Sequence, residues 1–415
     1  MKMNVNPVRG TRDFLPNEVV IRDYVKNEIL KTYQDYGFQK ISTPILEDVN
    51  RLLSSDGGEN LSLVFKVLKR GQKLNLEKED LKEIDLVDIG LRYDLTLPLS
   101  RYYANNQSMI RLPFKCIQID KVFRAERPQK GRYREFYQCD IDIIGDDSIN
   151  AEIELIHTTA STLLNLGLDD FVIRVNDRRI LTDVILFAGF KMEDVNSVCI
   201  IFDKLDKIGI NGVREELISK DYSKEIVDSF IDIIENNNLN SVEDLLKITE
   251  NSLVVEELFN VIEAIKVVSN NRYQIVYDKS LVRGMGYYTG IVFEIASNKF
   301  SSSIGGGGRY NEMIGKFMNQ SVPAVGFSIG FERLVEILME SGVRVPTDSK
   351  KVALLYEQND SIIEVLKIAE DYRMNKYQVS LFYKAKKLGK QINNLKDEGF
   401  DYLFVFGRDQ ELKLI

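Results

Sequence analysis

The side chains best equipped for chemistry cluster in one strand–loop–strand run. From Arg134 to Ile144, residues two apart share a face of an extended chain, which groups Arg134, Phe136, Gln138, Asp140 and Asp142. Carboxylates and an amide fit poorly in an apolar core, where unpaired charge is costly. Such a face is either half-solvated or the floor of a pocket for a small polar ligand. The preceding loop supplies Arg124, Arg127, Lys130 and Arg132. Guanidinium forks match phosphate oxygens, although a basic surface turn would have the same composition.

Three further segments carry candidate groups. In SLVRGMGYYTGIVFEI, Arg283 stands near Gly284, Gly286 and Gly290, residues that allow close approach to the backbone. Strand alternation predicts that Tyr287 and Tyr288 point to opposite faces, one toward a pocket and one into packing. The run Gly305-Gly306-Gly307-Gly308-Arg309-Tyr310 lacks the GK[ST] of a phosphate-cradling loop and signals little alone. In GFSIGFERLVEILMES, Phe331, Leu334, Val335, Leu338 and Met339 form a helical stripe. Arg333 falls on the other side of that helix, either solvated or aimed at a site.

These groups need a scaffold. The spacing predicts a helix from Asn17 to Gly37, a short strand FQKISTPIL, and a solvated excursion from Lys66 to Glu83. Strands Phe114 to Arg124 and Arg134 to Ile144 should pair antiparallel around the breakers Pro128 and Gly131. A helix from about Asn150 to Leu166 and a strand FVIRVN follow. A leucine- and isoleucine-rich acidic stretch from about Gly189 to Asn270 reads as a helical insertion. Strands YQIVYD and YYTGIVFEIA come next, then a helix starting near Ser328. After Pro346 the pattern alternates strand, helix, strand, helix, strand. The expected organisation is therefore one domain over 1–345, with an insertion at about 190–270, and an α/β domain over 350–415.

Composition removes some classes. The 415 residues are 44% hydrophobic and 28% charged with a net charge of −8, a globular balance without a basic coat. No window approaches the ~18 apolar residues of a membrane span, and the N-terminus lacks a signal-peptide core, so a cytoplasmic protein is expected. Cys116, Cys139 and Cys199 form no CxxC pair and are expected to be reduced thiols. The single histidine, His157, lies in a helical run. One histidine argues against both a structural zinc site and a Ser-His-Asp hydrolase.

Taken in order, the segments resemble the histidyl-tRNA synthetase family over nearly the whole chain. GTRDFLP resembles its N-terminal signature and YGFQKISTPILED its class II motif 1. FRAERPQKGRYREFYQCDIDIIG is similar to motif 2, LVRGMGYYTG and IGGGGRY to the two histidine-specific signatures, and PAVGFSIGFERL to motif 3. LRYDLTLPLSRY and VCIIFDKLDKIG also match family wording. The resemblance implies an α+β fold: a class II antiparallel sheet flanked by helices, a helical insertion and a C-terminal α/β anticodon-binding domain. It implies activation of histidine with ATP and Mg²⁺, transfer to the tRNA for histidine, and a homodimer through motif 1.

It also implies roles. Arg124 and Arg283 would flank the ATP α-phosphate, Arg333 would hold the γ-phosphate, and Phe136, Glu126 and Arg132 would complete the ATP site. Asp94, Thr96 and Gln138 would cradle the substrate ammonium. Asp142 and Tyr288, with Tyr287, would hold the imidazole, and Tyr310 would close the pocket. Arg127, Gln129, Lys130 and Arg132 would guide the tRNA acceptor end, and Lys384, Lys386, Lys387 and Lys390 would touch the anticodon arm. No protein metal cage is implied. Two departures stand out: Gly286 replaces the family's aspartate, and the sequence stops after FVFGRDQELKLI, where a further strand and helix are usual. The alternatives are a synthetase-like regulatory subunit of ATP phosphoribosyltransferase, which binds but does not catalyse, and a paralogue that passes the adenylate to another acceptor. The intact LVRG arginine, the full RPQKGRYREFYQ loop and the C-terminal domain argue against the regulatory subunit.

Overall fold

The computed structural model describes residues 3–54, 62–77, 79–128, 131–235, 239, 241–283, 287–297, 303–342, 345–346 and 350–415. The chain divides into two units, Met1–Val343 and Arg344–Ile415.

The first unit is built on a sheet of eight strands. In spatial order these are Gln39–Lys40, Phe114–Phe123, Glu135–Ile144, Ala324–Gly330, Ser303–Arg309, Ile291–Ser297, Phe171–Asp177 and Gln274–Tyr277. The six inner strands pair antiparallel. Each outermost strand is parallel to its neighbour, so the sheet is mixed within an α+β fold rather than wholly antiparallel. A parallel pair needs a long crossover. The helices between Phe171–Asp177 and Gln274–Tyr277 are that crossover. They begin at Arg178, where Asp177 caps the first helix by accepting from the Arg179 amide, rather than at Gly189. The helix Leu205–Ser219 is broken at Gly209, whose φ of +68° few other residues adopt.

One face of the sheet is covered by the helices Pro16–Asp35 and Asn150–Asn165. Strand alternation makes that face apolar: Cys139, Ile141 and Ile143 join Val25, Ile29, Leu155 and Leu163 in the main core. Gln138, Asp140 and Asp142 therefore point the other way. His157, on the covering helix, lies near the Tyr36 hydroxyl at 3.3 Å and the Tyr273 hydroxyl at 3.4 Å. The three cysteines are buried and unpaired.

Several local expectations change. FQKISTPIL is not one strand: Gln39–Lys40 joins the main sheet and Leu46–Asp48 joins a second sheet with Val87–Leu91 and Lys66–Leu68. Between them the Thr43 carbonyl accepts from the buried Arg92 guanidinium at 2.8 Å, which diverts it from strand pairing. The presumed excursion after Lys66 thus contains an edge strand. The glycine run is itself a strand, Ser303–Arg309. Ser328 lies within a strand, and the helix starts at Phe331. In that helix Phe331, Leu334, Val335 and Leu338 are buried, but Met339 is 41% exposed in the last turn and Ile337 takes a buried place instead.

The second unit holds parallel strands Lys351–Tyr356, Gln378–Tyr383 and Tyr402–Val405, with Lys413–Leu414 antiparallel at one edge. Val352 and Leu354 pack on Val365 and Ala369 of the helix Ile362–Met374. Ala353 and Leu355 face Leu395 of the helix Leu388–Asp397. Both faces of this small sheet are covered, as expected of a parallel sheet.

Candidate active site

On the open face of the main sheet, a cavity of about 170 Å³ is lined by Asp94, Thr96, Arg124, Gln138, Asp140, Asp142, Arg283, Tyr287, Tyr288, Gly306, Tyr310, Gly326, Phe327 and Ser328. That volume is smaller than drug-sized pockets of ~300–1,000 Å³ and suits a single small polar molecule. Nine of the sixteen residues that the resemblance assigns to ATP, histidine or the tRNA acceptor end meet here: Asp94, Thr96, Arg124, Gln138, Asp142, Arg283, Tyr287, Tyr288 and Tyr310.

Each arrives by a different element. Gln138, Asp140 and Asp142 rise from alternate positions of Glu135–Ile144. Asp94 precedes the helix Thr96–Asn106 and accepts the Leu97 amide at 3.3 Å. The Arg124 Nε donates to the Tyr93 carbonyl at 2.9 Å, and its guanidinium faces the Phe136 ring at 5.2 Å. Arg283 donates to Glu294 Oε2 at 2.6 Å.

Glycines make room for these large groups. A Cβ on Gly306 would lie 2.3 Å from the Arg283 Cζ, and one on Gly308 would lie 3.0 Å from a Tyr288 ring carbon. At Gly326 a Cβ would lie 2.0 Å from Asp142 Oδ1. The glycine strand is the surface on which Arg283 and Tyr288 rest. Tyr287 and Tyr288 both line the cavity, with ring centroids 4.6 Å apart, instead of facing opposite ways. The reason is that the strand begins only at Ile291, so alternation does not govern them.

Electrostatics in the cavity are unusual. Burial pushes Asp142 up to about 7, with Asp94 adding to the rise and a 2.6 Å hydrogen bond from Tyr310 opposing it. Burial also raises Asp94 to about 6, against the pull of the Leu97 amide and Arg124. Asp140 is held well above the carboxylate range by burial and by Asp142. Strongly shifted groups that share a cleft mark functional sites.

Beside the cavity, Arg333 donates to the Ser303 carbonyl at 2.7 Å. Burial and the neighbouring charges of Arg132 and Arg283 lower its pKa. Three guanidiniums that disfavour one another invite a polyanion. Glu126 lies between Arg124 at 3.9 Å and Arg132 at 3.7 Å. Arg127 is exposed on the loop. Gln129 and Lys130, and also Gly284 and Gly286, lie outside the described residues. Lys386, Lys387 and Lys390 are exposed in the second unit, and Lys384 pairs with Glu357.

Sequence reasoning did not single out Gly306, Gly326, Phe327, Ser328 or Glu294 as site residues, and it gave Asp140 no role. Their positions follow from cross-strand register, in which Asp140 faces Ser328, Ser328 faces Gly306 and Gly306 faces Glu294. Asp203, from the helical crossover, also reaches the Arg283 and Glu294 pair closely enough for both charges to act on it.

The chain is also similar, in sequence and in fold, to known proteins. The family model for histidyl-tRNA synthetase matches residues 10–334. A histidine–tRNA ligase of Leifsonia xyli subsp. xyli (strain CTCB07) is 40% identical, with 98% of this chain and 96% of that protein covered. The crystal structure of histidyl-tRNA synthetase from Nostoc sp. PCC 7120 superposes with a TM-score of 0.77 at 28% identity, over 97% of this chain and 91% of that one. A structure described as an ATP phosphoribosyltransferase regulatory subunit/histidyl-tRNA synthetase from Bacillus halodurans C has a TM-score of 0.76 over 98% of this chain and 99% of that one. Its 20% identity speaks only for a shared fold.

Proposed function

The chain belongs to the histidyl-tRNA synthetase family and is a ligase that activates histidine with ATP and loads it onto tRNA; on that premise we propose how its residues divide the work. Arg124 and Arg283 flank the α-phosphate, Arg333 takes the γ-phosphate, and Phe136, Glu126 and Arg132 hold the rest of the ATP. Asp94, Thr96 and Gln138 cradle the substrate ammonium. Asp142, Tyr288 and Tyr287 read the imidazole, and Tyr310 closes the pocket while it steadies Asp142. The observation that carries this reading is that Arg124, Arg283, Asp142 and Tyr288 share one cavity.

The chemistry requires such an arrangement. The histidine carboxylate must attack a phosphorus already surrounded by negative oxygens. Guanidiniums fixed in advance oppose that repulsion and stabilise the charge of the in-line transition state. The bond from carboxylate oxygen to phosphorus forms as pyrophosphate leaves. The terminal ribose hydroxyl of tRNA then attacks the activated carbonyl and expels AMP. An imidazole offers a donor and an acceptor, so a carboxylate and a phenol can read its two nitrogens. An apolar isostere would leave both groups unpaired, a discrimination that reaches ~10⁴–10⁵ in comparable sites.

Mg²⁺ would enter with ATP as part of the substrate and would offset the phosphate charge there. Among the described residues no group of three or more His, Cys, Asp or Glu side chains is placed to hold a metal, so none is given a role toward it. Arg127, Gln129, Lys130 and Arg132 guide the acceptor end, and the second unit binds the anticodon arm through Lys384, Lys386, Lys387 and Lys390. The exposed apolar side chains Val19, Val20, Ile45 and Leu46 support a homodimer through this region. Among the described residues no helix is long and apolar enough to cross a membrane, and we infer that the enzyme works in the cytoplasm.

ATP–pyrophosphate exchange tested with each amino acid is the direct experiment. Histidine alone should drive it; exchange driven equally by another amino acid would overturn the assignment of the cavity.

A further inference from the structure

The run GTRDFLP lies outside the cavity but against the loop that joins the two hairpin strands. That loop, residues 124–134, carries four arginines and a lysine, which repel one another, and Pro128 and Gly131 keep it out of regular structure. Such a loop holds one conformation only where other groups satisfy its backbone. Residues 9–14 do this. The Gly10 carbonyl accepts the Arg134 amide at 2.7 Å, and the Arg9 carbonyl accepts from Arg134 Nη1 at 3.3 Å. Arg134 Nε donates in turn to the Glu126 carbonyl at 3.1 Å, which ties the loop across its base. Gly10 has a φ of +90°, and a Cβ there would stand 2.8 Å from Arg134 Cγ and Cδ and from the Pro128 ring. Arg12 donates to the Tyr133 hydroxyl at 3.4 Å, and Glu18 holds its other terminal nitrogen.

The same segment reaches the helix Phe331–Glu340. The Phe14 ring lies 3.8 Å from the Arg22 guanidinium. Arg22 pairs with Glu332 through two bonds of 2.5 and 2.8 Å, a forked geometry that fixes both side chains. Glu332 adjoins Arg333, and the loop leans on Arg333 as well: a Cβ on Gly131 would lie 3.8 Å from its Cγ. The contacts of residues 9–14 thus lead to the loop and to the neighbour of Arg333, the two places that hold ATP on the proposed reading. Asp142 is eight strand residues beyond Arg134, roughly 26 Å away along the chain.

We propose that residues 9–14 brace the ATP half of the site, with Gly10 and Arg12 as positioning residues for the loop 124–134. The brace sets where Glu126 and Arg132 stand before the nucleotide arrives. It therefore governs the binding of ATP and leaves that of histidine alone. This rests on the reading of Arg124, Arg132 and Arg333 as ATP-binding groups.

Histidine-dependent ATP–pyrophosphate exchange by the full chain separates the two substrates. Gly10→Ala forces the loop to move and should raise the KM for ATP by about tenfold, with the KM for histidine within about twofold of wild type. Arg12 is exposed, so Arg12→Ala is the variant that spares the fold. It should raise the KM for ATP by about 2–5-fold, the loss of one hydrogen bond, again without moving that for histidine. Thermal unfolding checks that both variants fold. A lower kcat with both KM values unchanged would show that the segment only stabilises the protein. Equal rises in both KM values would show general damage to the site, and no change in either would show that the segment is idle; each of these overturns the proposal. Arg333→Ala tests the premise separately. If it leaves the KM for ATP unchanged, the ATP reading itself fails. If it raises that KM while the Gly10 and Arg12 variants behave like wild type, only the brace is refuted.

Discussion

The strand Glu135–Ile144 has two faces that answer to different demands. Cys139, Ile141 and Ile143 point into an apolar core and are at most 1% exposed. Gln138, Asp140 and Asp142 point into a cavity where burial raises both acids and two acceptors lack donors. The back face meets the ordinary requirements of a stable sheet. The front face departs from them, with acids close together and polar atoms unpaired. One strand thus separates what holds the fold together from what, on the proposed reading, serves the reaction, and the separation is set by the two-residue period.

The largest expected effect lies on the front. Arg283→Ala should lower histidine-dependent pyrophosphate exchange by about 10²–10³-fold, the usual cost of a preorganised donor. ATP affinity, measured by equilibrium binding, should change little because Arg124, Arg132 and Arg333 remain. Unaltered exchange would remove Arg283 from the reaction and with it the claim that this face is the reactive one.

Next comes Asp142→Asn, which sets the two demands against each other. The folded-state value of Asp142, about 7, exceeds its ordinary value of 3.8. The native state therefore holds more protons than the unfolded one between those values. The stability contributed by this group falls as pH rises through that window. Asparagine removes the penalty. The variant should be more stable than wild type at pH 8, by on the order of 1–3 kcal/mol, and the difference should vanish toward pH 4 in urea titrations. Its histidine-dependent exchange should fall over the same pH range in which stability rises. A variant less stable than wild type at pH 8 would mean that the Tyr310 hydrogen bond to the carboxylate outweighs the burial penalty of Asp142.

A smaller effect is expected behind the sheet. Ile141→Val removes one methylene from the core and should cost about 0.5–1.5 kcal/mol in urea unfolding. Exchange per folded molecule should stay at the wild-type level. A drop in exchange beyond the loss of folded protein would show that the two faces are mechanically coupled.

The contrast between the faces also explains what could be read in advance. The hairpin was legible because alternation within one strand is a local property. Phe136, Gln138 and Asp142 needed only their spacing. Ser328, Gly306 and Glu294 were not legible, since their alignment with Asp140 depends on register among four strands far apart in sequence. Glycine has low strand propensity, so the Gly305–Arg309 run gave no strand signal. Only the packing of Arg283 and Tyr288 on it shows why side chains are missing there. Tyr287 and Tyr288 were misjudged because alternation was extended four residues ahead of the strand. Pro44 and Thr43 interrupt the motif 1 strand for a similar reason: the Arg92 guanidinium that claims the Thr43 carbonyl comes from a distant segment.

The smallest expected effect concerns the one residue type that most often performs acid–base chemistry. His157 is the single histidine, yet it lies on the helix Asn150–Asn165, behind the sheet. Its ring meets Tyr36 edge-on at a centroid distance of 5.6 Å. Burial, with help from Arg272, lowers its pKa below the usual 6.5. The native state therefore resists protonation more than the unfolded one, and the contribution of the ring to stability is full above pH 6.5 and is lost as pH falls below it. His157→Gln keeps a polar side chain there and should change stability at pH 7.5 by no more than about 0.5 kcal/mol. The variant should also lose part of the decline in stability seen between pH 6.5 and 5. Exchange and tRNA charging should match wild type at every pH, because the cavity opens on the opposite side of the sheet. A fall in charging per folded molecule would place a reacting proton on the wrong face and end the division between the two.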